Sequence, residues 1–309
     1  MELELTVSKM DAGRQLKHVL RDNFRLSTGL LRRAKFGGSL LLNDAPVFAD
    51  RRVCAGDHIR VLFPPETADY PPEEGRLSVL WEDGHYLAVD KPSGMITHPT
   101  HSRISGTLAN LALHHILVSG GDGCHAVNRL DRDTGGIVLF AKSAYAKSLT
   151  FDAAFEKLYL AAAYGEPPEK CGTVSLPIAR AGERDMKRVV SSSGAPSVTH
   201  YRVLAQSRGS SLLLLRLETG RTHQIRVHMS ALGCPLLGDR LYGSAESCEL
   251  SHKLGITEQR LHACRLSFRH PLGGDTVDIS SCPPWLSSFG EALIPAAGEK
   301  SFDFFDKSY

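Results

Sequence analysis

"NRLDRDTGGIVLFAKS", Asn128 to Ser143, is the stretch from which the rest of this chain can be read. Two arginines and two aspartates crowd into residues 129–133. The chain then bends at Thr134-Gly135-Gly136 and enters the apolar run Ile137 to Ala141. A short apolar run bounded by glycines reads as a buried strand. A charged loop feeding such a strand is where a rigid scaffold usually displays reactive groups. Asp131 and Asp133 are two apart, so in extended backbone they point the same way. That pair is open to two readings. One is an acid and base of the glycosidase kind. The other is a salt-bridged turn, capped by Asp133 and Thr134 and bent at the glycines. Spacing alone favours the turn.

Working outward, "LSVLWEDGHYLAVDKP", from Leu77, gives two alternating runs around Asp83-Gly84, a hairpin signal. "SAYAKSLTFDAAFEKL", from Ser143, has helical composition, and "YLAAAYG", from Tyr159, returns as a strand. "SSLLLLRLETG", from Ser210, is a further strand. "RTHQIRVHMSALG", from Arg221, predicts a helix with Ile225, Met229 and Leu232 on one face. Thr222, His223 and Arg226 then share another face. Strands and helices mix without a regular βαβ beat, which predicts an α+β fold. His223 and His228 lack the intervening glutamate of a zinc-protease helix, and His98, His101, His114 and His115 form no convincing ligand set. Arginine, however, is the side chain best shaped to hold a buried carboxylate or a phosphate.

Residues 1–62 read as a separate small module. Asp11 is placed to cap a helix with Leu16, Val19 and Leu20 inward. Ser27 is placed to cap a second, with Leu30, Leu31 and Ala34 inward and Gly37-Gly38 at its end. A strand pair follows, turning at Asn43-Asp44-Ala45-Pro46. Lys9 to Lys35 hold eight basic residues against two acids, a local excess of six on a chain whose net charge is only +2. Such a patch can bind phosphate, although basic helix faces are also often simply solvated. Residues 63–76 are rich in proline and acid and read as a linker; residues 77–285 form the main unit, and 286–309 a C-terminal tail.

At 309 residues, 42% apolar and 23% charged, the composition is that of a soluble globular protein. No apolar run is long enough to span a bilayer, and "MELELTV" is no signal peptide. Seven scattered cysteines without a C-x-x-C pair read as reduced thiols, hence a cytoplasmic location.

Several blocks together resemble the RluA family of pseudouridine synthases. They are "WEDGHYLAVDKPSGMITHP", "NRLDRDTGGIVLFAKS", "EKLYLAAAYG", "ETGRTHQIRVHMSALGCPLLGDRLYG" and "LHACRLSFRHP", in order over about residues 77 to 271. "DAGRQLKHVL", "LSTGLLRRAKFGGSLLLND" and "AGDHIRV" resemble the αL RNA-binding module of a ribosomal protein and of tyrosyl-tRNA synthetase. The layout is similar to the ribosomal large-subunit branch of the family. Nothing in the sequence demands more than a monomer; the resemblance implies a mixed, mainly antiparallel sheet core that isomerises uridine in RNA without cofactor or metal. It implies Asp131 as the catalytic carboxylate, Arg226 as its partner and Tyr159 as a platform for the everted base. Arg129, Arg221 and His223 would contact RNA or line the cleft, with Lys91 a weaker candidate. Arg14, Arg32, Arg33 and Lys35 would grip RNA backbone. Asn128 and Gly135 depart from the family's usual histidine and serine. Ribosomal RNA is the lead substrate, with transfer RNA a second. A non-catalytic RNA-binding or ribosome-assembly protein, and a hydrolase using Asp131 with Asp133, are the competing readings.

Overall fold

The computed structural model describes residues 1–289 apart from 152, 183 and 184. Most of the expected C-terminal tail, from 290 on, lies outside the described residues.

The first 62 residues fold as β1 (Glu2–Thr6), α1 (Leu16–Phe24), α2 (Thr28–Gly37), β2 (Ser39–Leu42), β3 (Ala45–Pro46) and β4 (His58–Leu62). The strands form one antiparallel sheet in the order β1-β4-β2-β3. Leu16, Val19, Leu20, Leu30, Leu31 and Ala34 pack against it as the helical spacing requires. Ser27 Oγ accepts from the Leu30 N–H and caps α2. Asp11 does not cap α1. Its carboxylate instead takes hydrogen bonds from Ser8 Oγ and Arg14 Nη1, and Gln15 stands at the N-cap without a side-chain bond. Asn43 and Asp44 both adopt left-handed backbone, the conformation a two-residue hairpin turn demands.

The main unit continues with β5 (Val79–Glu82), β6 (Tyr86–Lys91), α3 (Leu108–Val118), β7 (His125–Ala126), β8 (Gly135–Ala141), α4 (Ala144–Leu149) and β9 (Phe155–Tyr164). Then come β10 (Cys171–Ser175), β11 (Ile178–Arg180), β12 (Arg188–Val190), β13 (Val198–Ser207) and β14 (Ser210–Leu217). It closes with α5 (Gln224–Ala231), α6 (Ala245–Lys253), β15 (Leu261–Arg269) and β16 (Thr276–Ser280). A ten-stranded sheet runs β10-β13-β14-β9-β15-β8-β6-β5, with β16 beside β15 and β7 beside β8. All its named pairings are antiparallel except β15 with β8. The fold is α+β. β8 is buried along its whole length because apolar layers cover both sheet faces. Val138 and Phe140 meet the layer that includes α3 and α5, while Ile137 and Leu139 face the opposite one.

Two further sequence expectations shift. The helix predicted after Ser143 stops at Leu149, and Phe155 already begins β9. Glu156, Lys157 and Leu158 favour helix locally, but pairing with β15, and at Leu158 with β14 as well, overrides that preference. α5 begins only at Gln224, so Thr222 and His223 precede it, and His223 adopts left-handed backbone with φ of 59°.

The proline-rich segment after β4 is anchored rather than loose. Glu66 bonds His125, the Ala144 N–H and Arg33, and Tyr70 Oη donates to the Cys124 carbonyl. Tyr145 and Leu149 from α4 complete the apolar core of the first 62 residues.

Gly136 explains itself at the β8–β15 contact. Its φ is 108°, and a Cβ there would lie 2.3 Å from the Ala263 carbonyl oxygen. We expect Gly136→Ala to destabilise the fold by about 2–4 kcal/mol, because backbone in the adjacent strand cannot retreat. Urea unfolding would show it, and an unchanged midpoint would contradict the account.

Candidate active site

Asp131 is held by its neighbours' backbone. The Leu130 N–H donates to Thr97 Oγ1, and Thr97 Oγ1 donates to the Leu130 carbonyl. Beyond it, Lys91 Nζ donates to the Arg132 carbonyl at 2.9 Å and Ser93 Oγ to the Asp133 carbonyl at 3.0 Å. The loop that leaves β6 thus clamps residues 130–133 on both sides of the aspartate. Lys91 is itself buried, and its other two bonds go to the Pro92 and Met95 carbonyls. Burial pushes its ammonium down to about 8, against the pull of Asp133, Asp131 and Asp90. With three carbonyl acceptors, this buried ammonium ties the loop after β6 to the aspartate loop.

The two aspartates of the loop part company. Asp133 forms a two-toothed bond with its exposed neighbour Arg132, at 2.9 and 3.0 Å. That bond, outweighing partial burial, holds its carboxyl below the usual range. The turn is salt-bridged, but it is closed by the Thr134 N–H donating to the Asp131 carbonyl rather than capped by the Asp133 or Thr134 side chain. Asp131 faces α5 instead, with its side chain 28% exposed. Arg226 Nη1 lies 3.6 Å from Asp131 Oδ2, and His223 Nε2 lies 3.8 Å from the same oxygen.

Arg226 has a closer partner. Its Nε and Nη2 donate to the two oxygens of Asp239 at 2.7 and 2.8 Å. The Asp239 side chain is fully buried and also accepts the Leu241 and Tyr242 N–H groups. Burial opposes the charge of Arg226, but the bonds and field of Asp239 outweigh it and hold its pKa above the ordinary value. The guanidinium also lies over the Tyr242 ring, 4.9 Å from its centroid. One edge of a planar cation is thereby fixed, and the remaining Nη1 is aimed at Asp131. Asp239 and Tyr242 escaped notice in the sequence. Their only signal is "GDRLYG", Gly238 to Gly243, whose first glycine has φ of 75° and backbone contact to Glu258.

Tyr159 sits in the middle of β9, between Leu215 of β14 and Ala263 of β15, only 8% exposed. It belongs to the apolar cluster that contains Leu130 and Ile225. Burial raises its phenol pKa, with the Asp131 charge adding to the effect, so the ring stays neutral. Asn128, where the family pattern has histidine, bridges two strand residues: its Nδ2 donates to the Ile137 carbonyl and its Oδ1 accepts the Leu139 N–H. Gly135 packs beside the His262 ring, which a Cβ would approach to 2.9 Å.

Arg129 is exposed and lines a concavity of about 440 Å³ with His98 and Lys147. A second concavity, of about 580 Å³, reaches Lys91 and Gly135 from another side. Asp131 lines neither. Arg221 is exposed at the turn before α5, with a long contact to the Pro196 carbonyl. The basic residues of the first 62 divide. Arg14 is bonded to Asp11 and Asp22, and Arg33 to Glu66. Arg32 and Lys35 are exposed. Among the described residues, no group of three or more His, Cys, Asp or Glu side chains converges as metal ligands would, and no helix is long and apolar enough to cross a membrane.

The family model described as RNA pseudouridylate synthase matches residues 85–231, the span from β6 through α5. The Bacillus subtilis protein YhcT, described as an uncharacterized RNA pseudouridine synthase, is 35% identical over 285 residues, covering 89% of this chain and 91% of that one. Ribosomal large subunit pseudouridine synthase D of Zymomonas mobilis is 37% identical over 233 residues, covering 71% and 73%. Human RNA pseudouridylate synthase domain containing 1 superposes with a TM-score of 0.57 at 27% identity, covering 73% of this chain and 97% of that one. The clamped aspartate loop, the sheet beneath it and these likenesses together make the chain a member of the RluA family and an RNA pseudouridine synthase, an isomerase.

Proposed function

We propose that the chain isomerises uridine in structured large-subunit ribosomal RNA, with Asp131 as the reacting carboxylate. The observation that carries this is the arrangement of Asp131 opposite an arginine whose other edge is locked by buried Asp239. An ionised carboxylate can act as nucleophile at the anomeric carbon or as base on the ribose. In the reaction the bond from ribose to the uracil ring nitrogen breaks and the base turns. A bond from ribose to ring carbon-5 then forms, and the carbon-5 hydrogen leaves to solvent while the ring nitrogen gains a proton. No electrons enter or leave. Eversion of the base costs about a few kcal/mol. Stacking on the Tyr159 ring offsets roughly 1–3 kcal/mol of that.

Several relatives are named as acting on the ribosomal large subunit, which supports that substrate over transfer RNA. Comparing pseudouridines across total RNA from strains with and without this protein tests the choice. A site lost from large-subunit RNA is expected; a loss confined to transfer RNA would redirect it.

The first 62 residues, read as an αL-type module joined by residues 63–76 to the catalytic unit at 77–285, supply the backbone grip. Exposed Arg32 and Lys35, with exposed Phe36 under the Lys35 ammonium, favour this role. Arg14 and Arg33 contribute less, since acidic partners already hold them. Arg129 and Arg221 extend the phosphate contacts toward the site. We expect Arg32→Gln with Lys35→Gln to weaken RNA binding and to lower the slope of log K against log salt by about 1–2 units. Deleting the module would be a poorer test, because Tyr145 and Leu149 pack into its core. A slope equal to wild type would remove these residues from the interface.

A further inference from the structure

His223 is the side chain near Asp131 whose role the reaction does not by itself define. Its backbone is left-handed at φ of 59°, a conformation that costs a non-glycine residue about 1–3 kcal/mol. Strain of that kind persists where surrounding structure imposes it, often at functional sites. Here the His223 carbonyl accepts the Val227 N–H at the start of α5, while the ring points across the site.

The ring is gripped from behind. His223 Nδ1 lies 2.8 Å from Tyr242 Oη, which also accepts the Arg188 N–H at 2.8 Å. A phenol has one proton to give. Among the described residues, the acceptor within reach of it is Nδ1. Burial raises the Tyr242 phenol, so the proton is present at neutral pH. Burial likewise lowers the His223 pKa, against the opposing field of Asp131, so the imidazole is neutral there and carries a single N–H. If Nδ1 accepts from Tyr242, that N–H is on Nε2. Asp131, Arg226, Asp239 and Arg188 are the charged groups around the ring, and Nε2 is the atom that faces Asp131.

Both His223 Nε2 and Arg226 Nη1 make their nearest approach to Oδ2 of Asp131. At 3.8 and 3.6 Å these contacts lie just beyond hydrogen-bond length, so among the described residues neither oxygen yet accepts a side-chain bond, and a small turn of the carboxylate toward the two nitrogens would close both on Oδ2. We propose that Tyr242 fixes His223 as the Nε2–H tautomer. His223 and Arg226 then hold Asp131 jointly by Oδ2, so that Oδ1 is the oxygen presented to the nucleotide. This rests on the reading of Asp131 as the reacting carboxylate. His223 is in this account a positioning residue, which fixes the rotation of Asp131 without touching substrate.

Nitrogen-15 NMR of the full chain without RNA reads the tautomer directly, with the His223 resonances assigned by their loss in His223→Gln. A protonated Nε2 and a bare Nδ1 are expected, and Tyr242→Phe should blur that pattern into a mixture. A bare Nε2, or an imidazolium at pH 7, overturns the proposal. Kinetics supply the second readout. His223→Leu should lower kcat about 100-fold with KM little changed, while His223→Gln, whose side-chain amide can reach the Nε2 position, stays within about 10-fold of wild type. Both residues carry the same backbone strain, so folding does not separate them. Equal kcat for His223→Leu and wild type would sink the positioning role. Because the tautomer is read without substrate, it is separable from the parent reading. A wild-type enzyme that leaves every cellular RNA unchanged would instead refute Asp131 as a uridine-isomerising carboxylate.

Discussion

Asp131→Asn is expected to abolish release of tritium from RNA labelled at uracil carbon-5, a loss of about 10⁴-fold or more, with RNA binding retained. The amide is nearly the same size and keeps an oxygen for hydrogen bonding, but it is neither a nucleophile nor a base of useful strength. The side chain is partly exposed, and its loop is held by Thr97, Lys91 and Ser93 acting on backbone groups. The fold therefore has little reason to respond, and a matching urea midpoint is part of the expected result. The same assay separates the competing readings. A non-catalytic RNA-binding protein releases no tritium even as wild type. A hydrolase liberates free base and depends on Asp133. Asp133→Asn should instead keep most activity, since that carboxylate is occupied by Arg132 on the surface. Full activity of Asp131→Asn would end the assignment.

The second large effect falls on Asp239. Removing it by Asp239→Ala leaves the Arg226 guanidinium buried without its two-toothed partner. Breaking a buried ion pair from one side typically costs about 3–5 kcal/mol. Two further N–H groups, of Leu241 and Tyr242, lose their acceptor as well. Activity should fall more than stability explains, because a freed guanidinium can swing fully onto Asp131 and cover the reacting carboxylate. The double variant Arg226→Met with Asp239→Leu separates the two consequences. Replacing both charges by apolar groups of similar volume should recover most of the stability. It should not recover turnover, since the guanidinium that helps to fix the rotation of Asp131 is gone. Recovery of turnover in the double variant would show that Arg226 serves only the fold.

The sequence by itself determined the parts whose cause is local. Alternation around Asp83-Gly84 predicted the β5–β6 hairpin, the apolar run after Gly136 predicted β8, and Ser27 with Leu30, Leu31 and Ala34 predicted α2. Asp131 stood out because a charged loop entering a buried strand is a local pattern, and the ordered blocks from Leu77 onward carried the family. Where local preference and pairing conflicted, the sequence misled. The segment from Ser143 to Leu158 reads as helix, yet the helix stops at Leu149, and hydrogen bonds to two flanking strands draw its last residues, from Phe155, into β9. Apart from Arg226, which the resemblance implied as the partner of Asp131, the partners of the site were decided by tertiary structure. Arg226 and Asp239 are brought together by the turn after α5, Lys91 reaches Arg132 across 41 positions, and Glu66 meets Arg33, His125 and Ala144 from three elements. Burial is what gives those contacts their strength, because a charge removed from water must find its counterpart within the fold. Neither burial nor the distance between residues far apart in the chain is written in any short stretch of sequence.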